Sequence, residues 1–113
     1  MIRSSRNKIS AETLSIVKVS KVKSMSFATI SARLKSFKSW PKSLPQKPKS
    51  LAEAGFYYTG VGDRVCCFYC GLGLKDWQEN DTPWKEHVVW NTECNFTLMV
   101  KGTQFVQKMQ TKE

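Results

Sequence analysis

Residues 31–110 predict a small α+β domain, a three-stranded antiparallel sheet surrounded by short helices. Three observations lead there. Between Phe56 and Trp77, aromatic and β-branched residues fall in short runs separated by glycine-bearing turns, the pattern of brief antiparallel strands. Helical segments with cap, proline and glycine punctuation lie on both sides of those runs. A chain of 113 residues suffices for one domain and not two, and a core of that size gains from a staple.

Residues 1–30 are rich in Ser, Lys and Arg with scattered Ile, Val and Leu, which predicts a basic flexible arm with a transient helix between Ala11 and Val19. Such an arm could also touch nucleic acid or an acidic partner, or serve as a transit peptide. Its low Arg content and weak amphipathic pattern disfavour the last. From Ser31 the pattern tightens. Ser31 is positioned to cap a short helix carrying Leu34 and Phe37 on one face. Trp40-Pro41 ends it, because a residue before proline avoids the helical region. Residues 41–49 read as a loop, and Ser50 as the cap of a helix from Leu51 to Ala54 stopped by Gly55.

Strands are expected over Phe56–Thr59, Arg64–Phe68 and Leu74–Trp77, with Gly60-Val61-Gly62-Asp63 turning between the first two. Asp81 or Thr82 then caps a helix that has Pro83 at its first position and runs to about Trp90. A further helix covers about Asn95 to Val100, Gly102 closes it, and a last one carries Phe105, Val106 and Met109. Residues 111–113 are left as a tail.

Charge is divided unevenly. The first 50 residues hold twelve Lys/Arg and one acid, Glu12, for +11; the remainder holds six Lys/Arg and eight acids, for −2, and together they give the net +9. The basic character therefore belongs to the front of the chain, whereas a DNA-facing zinc finger would carry it on the domain. No stretch reaches the ~18 apolar residues of a membrane span, and lysines interrupt any signal-like run near the start. The expected location is the cytoplasm, with the nucleus also accessible, and there clustered Cys and His point to metal rather than disulfides.

All four cysteines lie between Cys66 and Cys94, and His87 is the only histidine. The spacing C-x2-C-x16-H-x6-C selects Cys67, Cys70, His87 and Cys94 as ligands of one zinc ion. A Cys-x2-Cys pair on a tight turn brings two sulfurs to one point, and Gly71 can take the positive φ such a turn needs. His87 falls inside a predicted helix with Cys94 seven residues later. Seven helical residues would rise about 10 Å, too far for two ligands of one ion, so the chain must leave the helix near Asn91-Thr92. Three thiolates and an imidazole favour Zn2+ over hard cations, and four protein ligands make a closed, structural site. Cys66, adjacent to Cys67, points to the opposite face of its strand and is expected to be a small, partly buried thiol.

These residues resemble the baculoviral IAP repeat (BIR) of the inhibitor-of-apoptosis family. The resemblance is carried by Gly55-Phe56-Tyr57-Tyr58-Thr59-Gly60, Gly62-Asp63-Arg64-Val65, Cys67-Phe68-Tyr69-Cys70-Gly71, Trp77, Pro83-Trp84-Lys85-Glu86-His87, Trp90, Cys94 and Lys101-Gly102. Upstream, Arg33-Leu34-Lys35-Ser36-Phe37, Trp40-Pro41 and Leu51-Ala52-Glu53-Ala54 fit the domain's opening. Leu72, where the family usually has a small residue, and Asn91-Thr92, in place of an aromatic-Pro pair, depart from the pattern.

The resemblance implies a BIR fold and a groove for peptides that begin with a free N-terminal alanine. Gly73, Leu74 and Lys75 would pair with the peptide backbone as an added strand. Trp77 would wall the pocket for the first side chain, Asp81 and Glu86 would receive the amine, and Trp90 would pack on the third residue. On residue type alone, the tryptophans could equally be core aromatics, Asp81 a helix cap and Glu86 a solvated helix residue.

The partners so implied are proteins with exposed N-terminal peptides, namely processed caspases and the antagonists that compete with them, and the role is inhibition of apoptosis by occupying a surface. The alternative within the family is a single-BIR mitotic adaptor that reads a histone tail, although such proteins carry a long helix after the domain. No enzyme, no small-molecule substrate and no membrane are expected. The only histidine is committed to metal, and no nucleophile has a free general base beside it in the motif. No further Cys/His cluster follows Cys94 in this sequence, so ubiquitin transfer is not expected of this chain.

Overall fold

The computed structural model describes residues 8–10 and 22–111. Four α-helices, α1 (Ile30–Ser36), α2 (Pro48–Glu53), α3 (Pro83–Trp90) and α4 (Asn95–Thr111), surround a sheet of β1 (Phe56–Tyr58), β2 (Val65–Cys67) and β3 (Gly73–Leu74). Single 3-10 turns at Met25–Phe27 and Phe37–Ser39 flank α1. The expected α+β class with a three-stranded antiparallel sheet is therefore observed, in the order β1-β2-β3. The sheet is small and tightly registered: Phe56 faces Cys67, Tyr58 faces Val65, and Val65 faces Leu74 across the next strand.

Two helix starts differ from those expected. α1 begins at Ile30 because Thr29, not Ser31, is its cap: the Thr29 hydroxyl accepts from the Ala32 N–H at 3.1 Å. α2 begins at Pro48 rather than after Ser50, since a proline at the first helical position has the required φ and needs no N–H partner. β3 is also shorter than expected, ending at Leu74. The chain departs at Asp76, which has a positive φ of 58° and is held by Asp63, whose carboxylate accepts from the N–H groups of Asp76 (3.1 Å) and Trp77 (2.9 Å). α3 matches the expected span. In α4 the backbone leaves helical values at Gly102, so two helical stretches meet there as anticipated.

The core is the inner face of the sheet with α2 and the aromatics at the Phe37–Ser39 turn. Leu51, Ala52, Ala54, Phe56, Val65, Leu72 and Leu74 are fully buried, with Phe37, Trp40, Tyr58 and Trp77 packed around them. Trp40 and Tyr58 meet edge to face with centroids 5.1 Å apart.

Arg33 is the one guanidinium in the interior among the described residues. Its Nε donates to the Ala52 carbonyl at 2.8 Å and Nη1 to those of Phe27 and Ala28, and the group lies 4.5 Å from the Phe68 ring centroid. Burial pulls its pKa below the ordinary value, an effect opposed by Cys67. These bonds fasten α1 to α2 and to the segment before it.

Residues 22–30, assigned to the arm on composition, pack on the domain. The N–H of Lys23 donates to the Tyr69 carbonyl and that of Ser24 to Phe68, and the Phe27 ring lies 4.0 Å from that of Tyr57. The helix expected between Ala11 and Val19 lies outside the described residues.

Candidate functional site

Two sites share the sheet. The first is the cluster of Cys67, Cys70, His87 and Cys94, all buried, whose ligand atoms lie within 4.8 Å of one another. Cys67 ends β2, and the following turn carries Cys70 back beneath it. The Gly71 N–H closes that turn on the Cys67 carbonyl at 3.0 Å with the expected positive φ of 83°. The N–H groups of Tyr69 and Cys70 point at the Cys67 sulfur, at 3.3 and 3.4 Å, an arrangement that stabilises a thiolate. His87 reaches in from the middle of α3. That helix stops at Trp90, and Asn91 adopts an extended conformation, which lets Cys94 return to the cluster as the rise per residue required.

The donor set fits a tetrahedral ion. Four ligands at about 2.3 Å from one centre stand roughly 3.8 Å apart, and here the Cys67 and Cys94 sulfurs are 4.0 Å apart and Cys70 Sγ lies 3.6 Å from His87 Nε2. His87 Nδ1 is 2.8 Å from the Ala54 carbonyl, so Nδ1 carries the proton and donates it, leaving the Nε2 lone pair for the cluster. Without a cation the four groups compete for protons. Burial pushes the Cys67 thiol well up, with Cys70 and Cys94 adding to the rise. Burial opposes charging of His87, yet hydrogen bonds to Cys70 and Cys94 carry it up to about 10. Cys94 is pulled strongly down, first by hydrogen bonds from Cys67 and Cys70 and against its own burial. A dication entering the cluster displaces these protons and removes the competition. Cys66 takes no part in the cluster and is buried on the sheet opposite Tyr57 and Gly73.

The second site is the outer edge of β3. Gly73, Leu74 and Lys75 form that edge, and residues 8–10 lie against it as an additional antiparallel strand. The Ser10 N–H donates to the Gly73 carbonyl at 2.9 Å, the Lys75 N–H donates to the Lys8 carbonyl at 2.8 Å, and Ile9 pairs with Leu74. The Leu74 side chain is in the core, so only its backbone serves the edge.

Lys8 turns its side chain inward and is completely buried. Its ammonium lies 2.7 Å from Asp81 Oδ2, 3.6 Å from Glu86 Oε1 and 4.0 Å from the Trp77 ring centroid. Three of the residues expected to line an amine pocket thus converge on one cation. The pocket is held from behind. Asp81 Oδ2 also accepts the Gln78 N–H at 2.8 Å, and the Gln46 amide bonds the carbonyls of Gln78 and Asp81. Trp90 donates its indole N–H to Glu86 Oε1 at 3.1 Å, so within the described residues it orients a carboxylate. Trp84 and Trp40 are packing residues: Trp84 stacks on His87 and Phe96, and Trp40 is in the core.

Sequence reasoning missed Lys8, Asp63 and Gln46. Asp63 and Gln46 act on backbone atoms far along the chain, which leaves no spacing signal. Lys8 sits among many basic residues, and composition gives no reason to single it out.

A family model described as the inhibitor of apoptosis (BIR) domain matches residues 33–98. The chain is 51% identical over 86 residues to the E3 ubiquitin-protein ligase IAP-3 of Orgyia pseudotsugata multicapsid polyhedrosis virus, covering 76% of this chain and 32% of that protein. It is 49% identical over 86 residues to the apoptosis inhibitor IAP of Cydia pomonella granulosis virus, covering 76% and 31%. The chain therefore matches less than a third of the length of these relatives. Among solved structures, the crystal structure of the autoinhibited dIAP1-BIR1 domain superposes with a TM-score of 0.61 at 29% identity, over 78% of this chain and 96% of that one.

Proposed function

Because the chain belongs to the inhibitor-of-apoptosis family through its BIR domain, we propose that it is a zinc-stapled interaction module that restrains apoptosis by binding exposed N-terminal peptides. Its ligands are peptides that begin with alanine, as in processed caspases and the antagonists that compete for them. Zinc held by Cys67, Cys70, His87 and Cys94 contributes only fold stability, since four protein ligands leave no position for a substrate. The module has no catalytic activity of its own and works in the cytoplasm, with access to the nucleus.

One observation carries this proposal: an extended segment already lies on the β3 edge with an ammonium seated between Asp81, Glu86 and Trp77. An edge that accepts a strand, beside a pocket that accepts a cation, meets both demands of a peptide with a free amine. The dIAP1-BIR1 domain, to which this chain is similar, is autoinhibited. By that likeness Lys8–Ser10 acts as a tethered occupant that an incoming peptide must displace, at an effective concentration in the millimolar range for a short link.

The test is a calorimetric titration of the full chain with an Ala-Val-Pro-Ile peptide and with its N-acetylated form. The free-amine peptide binds and the acetylated one does not. Equal binding of both, or no binding by the free amine, removes the proposal.

A further inference from the structure

The group seated in the amine pocket is not a chain terminus. Lys8 is preceded by seven residues, so its α-nitrogen is an amide, and the ammonium between Asp81 and Glu86 is the ε-ammonium of a side chain. The backbone hydrogen bonds of Ser10 to Gly73 and of Lys75 to Lys8 lie on either side of Ile9, and neither needs a free end. We infer that this groove also recognises internal segments of partner polypeptides, of the form lysine–aliphatic–small, that carry no exposed N-terminus.

The chemistry is that of the ammonium group. An ε-ammonium and an α-ammonium each offer three N–H donors and one positive charge, and differ in the stem that delivers them. The pocket grips the cation by two carboxylates and an aromatic face, none of which senses what lies behind the nitrogen. Those groups are fixed in advance by the Gln78 N–H on Asp81 and the Trp90 indole on Glu86, so the pocket is built for a cation.

The seated segment also sets the sequence class. Its first residue is fully buried with its charge paired. The second is half-buried against Leu74 and the core, which suits an aliphatic side chain. The third, Ser10, is a small side chain buried to 3% exposure, and it sets the class at the third position. The strand must be extended and antiparallel to β3.

This inference rests on the proposed groove, and one set of titrations separates their failures. The protein is the full zinc-loaded chain carrying Lys8→Ala and Ser10→Pro, which removes the tethered ammonium and one strand hydrogen bond. The probes are acetyl-Asn-Lys-Ile-Ser-Ala-Glu-amide, the same peptide with Nε-acetyl-lysine, the same peptide with norleucine for lysine, and Ala-Val-Pro-Ile. The blocked lysine peptide binds at least tenfold more tightly than its acetyl-lysine and norleucine forms, and competes with Ala-Val-Pro-Ile. The unsubstituted chain gives the same ranking at weaker affinity, because its own arm competes, so the ranking is measurable even if the double variant does not fold. If Ala-Val-Pro-Ile binds and the blocked lysine peptide does not, the groove stands and the inference falls. Equal binding of the lysine and acetyl-lysine peptides also overturns it. If no peptide binds, groove and inference fall together.

Discussion

The Cys/His cluster and the β3 edge both hold a cation-binding set of buried groups, yet they are built for opposite purposes. The cluster gathers four ligands from β2, the turn after it, α3 and the loop before α4, and all four are inside the protein. Because all four are buried, an ion held there would leave only with the fold. The groove gathers Trp77, Asp81 and Glu86 around a cation supplied by a segment distant in sequence, joined to β3 by a pair of backbone hydrogen bonds. A closed site stores folding energy. An edge site whose strand exchanges, as proposed for Lys8–Ser10, would turn the same kind of electrostatic preorganisation into recognition.

The sharpest way to separate them is to break the cluster. Cys94→Ala, or extraction with a strong chelator, removes on the order of 10 kcal/mol of metal-linked folding energy. The expected outcome is loss of the near-ultraviolet circular dichroism of the buried tryptophans and loss of peptide binding with it. A change at the groove does the reverse. Asp81→Asn keeps an acceptor for the Gln78 N–H but removes the charge under the ammonium. It weakens an Ala-first peptide by about tenfold to a hundredfold, or ~1.4–3 kcal/mol, while metal content stays at one ion per chain by inductively coupled plasma analysis.

Trp90→Phe is milder. It keeps the ring and removes the N–H that positions Glu86. The loss of one hydrogen bond to a charged group is about 1–2 kcal/mol, expected as a several-fold weaker peptide affinity in calorimetry. Cys66→Ala lies outside the Cys/His cluster. It leaves metal stoichiometry and peptide affinity unchanged, and thermal unfolding shifts by no more than the ~1 kcal/mol of a small packing loss.

What was legible in the sequence follows the same division. The cluster could be read almost completely, because its geometry is written in local spacing: a Cys-x2-Cys turn, and a helix that has to end between His87 and Cys94. α3 was equally clear from Pro83 and the cap before it. The starts of α1 at Ile30 and of α2 at Pro48 were misjudged by two and three residues: Thr29 and Ser31 compete for the first cap and only three-dimensional contact selects one, whereas in the second a proline and not a hydroxyl cap sets the start. The pocket residues Trp77, Asp81 and Glu86 were singled out by resemblance alone. What they bind in this protein was hidden, because Lys8 meets Asp81 across 73 positions and one lysine in a basic arm looks like another. Asp63, which holds the bend at Asp76 and so aims Trp77, was hidden for the same reason.

The contrast between a permanent staple and an exchangeable strand is tested most directly by amide hydrogen exchange on the zinc-loaded full chain, read by NMR with and without saturating Ala-Val-Pro-Ile. The Ser10 amide, bonded to Gly73 in the free protein, should lose protection when the peptide enters, while the Lys75 amide keeps a partner. The Cys70 amide, bonded to the Cys67 sulfur, should not change. Unchanged exchange at Ser10 with the peptide bound, or faster exchange at Cys70, would contradict the account.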